Sequence, residues 1–317
     1  MITMDRMALM RSELDLPGVD AVHHGKVRDV YHLKDGRTIL VATDRISAFD
    51  VILPRGIPHK GQVLSQLSWH MLQSTAHVAP NWAIASPDPN VIIGQRCTTV
   101  KVEMVVRGYL AGHAWRTYRS GQRELCGAEL PEGMRENDRF PAPLITPSTK
   151  ADQGHDEDIT PERILAEGLC TPEEWDWMCS HALALFGEGT RIAEERGLLL
   201  VDTKYEFGRT QDGRILLIDE IHTPDSSRYF HADGYADRQD RGERQEQLSK
   251  EFVREWLIAH GFMGREGEQV PAMDDAFVRS VTDRYVGLYE ELTGAPFTPA
   301  SSEDINARIQ RALMAYL

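Results

Sequence analysis

The chain has 317 residues, 41% hydrophobic and 26% charged, the composition of a globular protein long enough to bury a full core in one large domain or two lobes. Its formal net charge of −14 repels polyanions, which argues against nucleic acid and anionic membranes as partners and leaves anionic small molecules dependent on local basic clusters. No apolar run reaches the ~18 residues of a membrane span. The opening MITMDRMALMRSELDLPG lacks a signal-peptide core, and Cys97, Cys126, Cys170 and Cys179 show no CxxC spacing, so a cytoplasmic protein with reduced thiols and no zinc site is expected.

In chain order, residues 20–43 should form short antiparallel strands, with 26–33 and 38–43 joined at Lys34-Asp35-Gly36. His24-Gly25-Lys26-Val27-Arg28 puts a glycine at a strand start and Lys26 and Arg28 on one strand face. Such a pattern can receive an anion, although an exposed basic strand is the plainer alternative. Val63, Leu64, Leu67, Met71 and Leu72 lie on one stripe and predict a helix over 61–75. A strand over 98–106 and a helix over 111–119 follow, ended by Gly121. Residues 131–158 carry three prolines after Pro131 and no periodicity, which predicts a functional loop. Its segment STKADQGHDED is no EF-hand, because Glu157 stands where a loop counted from Asp152 needs glycine. It can still carry Lys150 and Asp156 into a site.

A helix over 171–196 is announced by Thr171-Pro172 with Glu174 and by the stripe Trp175, Cys179, Ala182, Phe186, Ala193. After a hairpin and a polar loop come helices over 250–260 and 274–293. A last helix, expected to be capped by Ser301, carries Ile305, Ile309 and Leu313 on one stripe. Strands dominate early and helices late, an α+β pattern with a small antiparallel β-rich lobe first. The apolar stripes can face a core or a partner equally well, so a homo-oligomer stays open.

The hairpin LLLVDTKYEFGRTQDGRILLIDEIHTPD is the most informative segment. Read as a two-residue type I′ turn, Asp212-Gly213 sets a register that places Glu206 opposite Asp219, roughly 4.5 to 5.5 Å apart at Cβ. Asp202, Lys204 and Glu206 share one strand face. Facing carboxylates repel unless a hard cation accepts both, and Mg²⁺ takes one or two carboxylates together with substrate phosphates. The apolar runs before and after put these acids where a buried sheet opens, so the hairpin reads as a metal-nucleotide site rather than a solvated surface. Neither GxxxxGK[ST] nor a GxGxxG after a strand occurs. Thr223-Pro224-Asp225-Ser226-Ser227-Arg228 and Arg107-Gly108 add hydroxyls and guanidiniums suited to phosphate or carboxylate.

Together the blocks GKVRDVY, TDRISAFDVILPRGIPHKG, VEMVVRGYLAGHAW, STKADQGHDEDIT, LLLVDTKYEFG, IDEIHTPDSSR and KEFVREWL resemble the SAICAR synthetase family over residues 25–256. The resemblance implies a two-lobed α+β fold similar to ATP-grasp, with a β-rich ATP-binding lobe over 1–106. A larger α/β lobe over 107–317 would hold the metal and ribonucleotide sites and the C-terminal helices. It implies an ATP- and Mg²⁺-dependent ligase joining 5-aminoimidazole-4-carboxylate ribonucleotide to L-aspartate through an acyl phosphate. By the same resemblance, Lys26 and Arg28 should touch ATP phosphates, Glu206 and Asp219 hold Mg²⁺, and Lys204 reach the substrate carboxylate or γ-phosphate. Arg107, Ser226 and Arg228, with Lys250 and Arg254, would contact the ribonucleotide. Asp50, Lys150 and Asp156 would bound the aspartate and metal side.

The chain departs from the family pattern at His113, where a small hydroxyl residue is expected, at Lys101 near the adenine-binding hinge, and at His59, in place of a glycine. The alternatives are a small-molecule kinase on a similar scaffold and a nucleotide-binding regulatory protein. Dependence of turnover on L-aspartate separates the ligase from the kinase.

Overall fold

A computed structural model describes residues 7–150 and 156–317. The fold is α+β, built on two antiparallel sheets with helices packed against them. The first sheet has five strands in the spatial order Val19–His24, Arg28–Leu33, Arg37–Ala42, Val91–Gln95, Ala83–Asp88. Its early turn forms as the sequence predicts, with Gly36 supplying the left-handed φ of 85°. One face buries Tyr31, Leu33, Ile39, Val41, Val91 and Ile93 against Ile305, Ile309 and Leu313. The last helix, Ile305–Met314, therefore returns to the first sheet instead of packing with the other C-terminal helices. Its cap is Asp304, whose carboxylate accepts from the Ala307 amide at 3.0 Å, and not Ser301.

The second sheet is centred on two twelve-residue strands, Thr98–Tyr109 and Leu198–Arg209, paired with each other. The sheets change over between Gln95 and Thr98, so the strand Thr98–Tyr109 runs straight through position 106. Period-two alternation sends Val100, Val102, Met104 and Val106 into the core with Tyr205 and Phe207. The helix Pro172–Glu194 covers this face with Met178, Ala182, Leu185 and Phe186. It starts as predicted: Thr171 and Glu174 form a reciprocal capping box at 3.2 and 2.9 Å. The other strand face carries the charged residues.

The stretch 131–158 departs from the expected loop. Arg139–Ile145 and Ser148–Thr149 pair with Thr98–Tyr109 at the sheet edge. Prolines 141 and 143 hid this strand, because an edge strand exposed over much of its length needs neither a full set of amide donors nor an apolar alternation. Residues 151–155 of the acidic segment lie outside the described residues.

The helix Lys60–Ser74 joins the two cores. Val63 and Leu64 pack with Val278, Val281 and Tyr285 of the helix Asp275–Thr293, whereas Leu67, Met71 and Leu72 join the core of the second sheet. No helix among the described residues is long and apolar enough to cross a membrane.

Candidate active site

The hairpin forms, but its register differs by one residue from the predicted one. Glu206 pairs with Ile218 and Arg209 with Ile215. Thr210 and Arg214 close the loop, the Thr210 amide donating to the Arg214 carbonyl at 2.9 Å. Only Gly213 of the loop has positive φ, at 84°, so Asp212-Gly213 is not a type I′ pair. Gln211, Asp212 and Gly213 together make a three-residue loop ending in a left-handed glycine. The predicted Glu206–Asp219 pair across this ladder is accordingly absent. Asp219 sits one place beyond the strand, with φ 66°.

Glu206 does face a carboxylate, on its other side. In the pairing with Thr98–Tyr109 it lies opposite Glu103. Both are buried, at 4% and 7% exposure. The Lys204 ammonium donates to Glu103 Oε1 at 2.6 Å and to Glu206 Oε1 at 2.7 Å, while Lys150 bonds Glu206 and lies 3.8 Å from Glu103. Burial drives the Glu103 carboxyl above its ordinary range despite Lys204. For Glu206 burial works the same way, but Lys204 and Lys150 outweigh it and hold the group ionised. Burial disfavours the Lys204 charge, yet the two glutamates keep it protonated. Glu103 has no local signal in the sequence, since only the pairing of two strands distant in the chain brings it to Glu206.

Lys26 lies in the bend before the strand Arg28–Leu33, not on a strand face with Arg28 as expected, and meets Asp50, whose φ is 60°. Arg28 reaches across to the second sheet and forks onto Asp219 and Glu220. Trp82 Nε1 donates to the Asp219 carbonyl at 3.0 Å and the Thr223 hydroxyl to Glu220 at 2.8 Å, so the turn is held from both ends. Arg28 and Asp219 are thus brought together, whereas Glu206 and Asp219 are held by different cations. The carboxylate oxygens of Asp219 and Glu206 are hard donors of the kind Mg²⁺ accepts. Among the described residues no group of three or more His, Cys, Asp or Glu side chains gathers around a metal-sized space.

A third cluster lies further along the same strand face. Asp202 accepts from Arg107 at 3.3 Å and Arg228 at 2.9 Å. Glu251 accepts from Arg228 at 3.2 Å and Arg254 at 3.0 Å. Burial disfavours the Arg107 charge, whereas Asp202 and Glu251 outweigh burial at Arg228. Gly112, with φ 56°, borders this cluster because a Cβ there would fall 2.4 Å from an Arg228 nitrogen. Arg228, Gly112, Arg116 and Glu251 open on a cleft of about 1020 Å³.

The remaining candidates separate. The Ser226 hydroxyl is drawn into its own turn, accepting from the Thr223 amide at 3.1 Å. Lys250 lies 3.8 Å from Asp225, in a buried group with Lys60 at 2.9 Å and the Tyr285 hydroxyl at 2.5 Å from that carboxylate. Asp156 is exposed. Of the departures, His113 bonds Asp158 at 2.7 Å, His59 precedes the helix Lys60–Ser74 with φ 67°, and the Lys101 carbonyl accepts from the Lys150 amide at 3.1 Å. Other motif residues hold the scaffold. Asp29 bonds Arg45 and Ser12 in full burial, and Asp44 accepts from the Leu9 and Gly61 amides at 2.6 and 2.8 Å. Burial pushes Asp44 up to about 6.

Comparison with known proteins identifies the family. The SAICAR synthetase family model matches residues 21–270. The phosphoribosylaminoimidazole-succinocarboxamide synthase of Bacteroides thetaiotaomicron is 56% identical over 311 residues, 98% of this chain and 99% of its own. That of Flavobacterium psychrophilum is 52% identical over 307 residues, 96% and 97% of the two chains. Among solved structures, the Saccharomyces cerevisiae SAICAR synthase complexed with SAICAR superposes with TM-score 0.78 at 31% identity, covering 92% of this chain and 100% of that one. A SAICAR synthetase in complex with ADP, at 23% identity and TM-score 0.67 over 88% of this chain and 100% of its own, shares the fold. By a family match over most of its length and by near-full-length identity, the chain belongs to the SAICAR synthetase family.

Proposed function

We propose that this protein joins 5-aminoimidazole-4-carboxylate ribonucleotide to L-aspartate in purine biosynthesis, with ATP split to ADP and phosphate. Family membership and the near-full-length relatives favour this ligase over a small-molecule kinase. The single observation that supports the residue roles is the strand face carrying, in line, the Glu206–Lys204–Glu103 group and the Arg107–Asp202–Arg228 group, with Arg28, Asp219 and Glu220 meeting it from the first sheet.

A carboxylate resists attack by an amine because oxide is a poor leaving group. Transfer of a phosphoryl group makes an acyl phosphate, from which phosphate can leave, and catalysis then consists mainly of positioning and of cations meeting the developing charge. Lys26 and Arg28 are assigned to the ATP phosphates, and Lys204 to the substrate carboxylate or γ-phosphate. Arg107 and Arg228 are assigned to the ribonucleotide, with Ser226, Lys250 and Arg254 as lesser contacts. Asp50, Lys150 and Asp156 border the aspartate and metal side. Asp219 and Glu206 would hold magnesium, which when bound neutralises charge on the transferring phosphoryl group. Lys204 keeps its proton between two glutamates, so it serves as a cation and not as a base. The ATP-binding lobe is assigned to the first sheet, with its boundary between Gln95 and Thr98 and not within the strand at 106, the larger lobe to the second sheet, and the reaction to the cytoplasm.

Phosphate release with ATP, Mg²⁺ and the ribonucleotide, run with and without L-aspartate, tests the function. Sustained release and succinocarboxamide product only with L-aspartate are expected. Sustained release without it would identify an uncoupled ATPase instead, and ADP formed with a phosphorylated ribonucleotide but no free phosphate would identify a kinase.

A further inference from the structure

His222 lies three residues beyond Asp219, and its side chain is fully buried. Its Nε2 is 2.7 Å from the Tyr205 hydroxyl, and its carbonyl accepts from the Tyr229 hydroxyl at 3.0 Å. Its ring lies against Gly189 of the long helix, where a Cβ would fall 2.4 Å from Cε1. Tyr205 stands between Lys204 and Glu206 on the central strand but points to the opposite, apolar face, where it is fully buried. One imidazole therefore connects the central strand, the covering helix and the turn that carries Asp219 and Glu220.

That turn is held in a costly conformation. Asp219 and His222 have φ of 66° and 58°, the left-handed region that residues with a Cβ avoid. Such backbone persists only where its surroundings over-determine it, and it concentrates at functional sites. His222 carries a second cost, since its Nδ1 is buried and makes no hydrogen bond among the described residues. An apolar ring would fill the same space without an unmet polar group, so packing alone does not account for a histidine. Burial lowers His222 to about 4, which leaves the ring neutral at neutral pH.

We propose that Tyr205 and His222 are positioning residues, whose hydrogen bond sets the turn that presents Asp219 and Glu220 to Arg28 and so governs the hold on magnesium nucleotide. The proposal rests on the assignment of Asp219 and Arg28 to that ligand. It does not place either side chain in contact with substrate.

Calorimetric titration of the full chain with MgADP, paired with steady-state kinetics, tests it on wild type, Tyr205→Phe, His222→Phe and the double variant. Tyr205→Phe keeps the packed ring and removes only the hydroxyl. It should weaken MgADP roughly fivefold to tenfold, raise KM for ATP in step, and leave KM for L-aspartate unchanged. The double variant should bind no more weakly than His222→Phe, because the two groups act as one. Unchanged MgADP affinity with a lowered Tm, or equal rises in KM for ATP and L-aspartate, would overturn the positioning role while wild-type binding keeps the site assignment intact. Failure of the wild type to bind MgADP would instead overturn that assignment and the proposal with it. Should His222→Phe not fold, Tyr205→Phe alone decides.

Discussion

The two ends of the charged strand face have opposite charge balance. Where the sheets meet, Arg28 alone among the described residues forms ion pairs with the two carboxylates Asp219 and Glu220. At the cleft, three guanidiniums, Arg107, Arg228 and Arg254, share the two carboxylates Asp202 and Glu251. Between them the Lys204, Lys150, Glu103, Glu206 group is balanced, two against two. A partly buried excess of either sign is costly alone and is relieved by a ligand of the other sign. One end thus suits a cation and the other a phosphate or carboxylate. On this footing Asp219 is the stronger metal candidate of the predicted pair, because Glu206 already has its counter-charges.

The largest effect is expected from Asp219→Asn, which removes the negative excess while keeping size. Turnover with Mg²⁺ and ATP should fall by about 10² to 10³-fold with little change in Tm. Turnover near wild type would break the contrast at its anionic end.

Arg228→Ala probes the other end. It should raise KM for the ribonucleotide by roughly 10 to 100-fold and leave KM for ATP where it was. A change confined to ATP would remove the cleft from ribonucleotide binding. Asp202 and Glu251 each keep another arginine as partner in this variant, so the fold should survive.

Asp44 sharpens the comparison as a buried carboxylate held by amides, with no ion pair among the described residues. Burial raises it from the ordinary 3.8 to about 6, so the folded state binds its proton more tightly than the unfolded state does. That contribution to stability is fully present below pH 3.8 and is lost as pH rises through 6. Stability of wild type relative to Asp44→Asn, measured by denaturant unfolding, should fall across this window and stay flat outside it. A difference independent of pH would show that Asp44 does not titrate there.

Local signals survived folding well. The capping box at Thr171, the stripe of the helix Lys60–Ser74 and the Lys34-Asp35-Gly36 turn are matters of neighbouring residues, and each appears within one or two positions of where the pattern places it. The site was legible in its residue types more than in its geometry. Asp202, Lys204 and Glu206 share a face as period two requires, yet the partner expected for Glu206 was misplaced because loop length sets register and a three-residue loop resembles a two-residue one in sequence. Glu103 escaped notice because the residue opposite Glu206 depends on which strands pair. Ser226 and Lys250 carry groups suited to a ligand, but their nearest partners lie inside the protein.

From its residues alone this chain determined its α+β class, most of its helices and the chemical character of its charged strand face, since these follow from alternation, capping and composition over short distances. Tertiary structure decided which charges meet. Arg28 finds Asp219 across two sheets, Glu206 faces Glu103 across distant strands, and the last helix returns to the first sheet. Pairings of that kind are selected by burial of whole apolar faces and by the closure of long loops, free energies that belong to the assembled chain and to no segment of it.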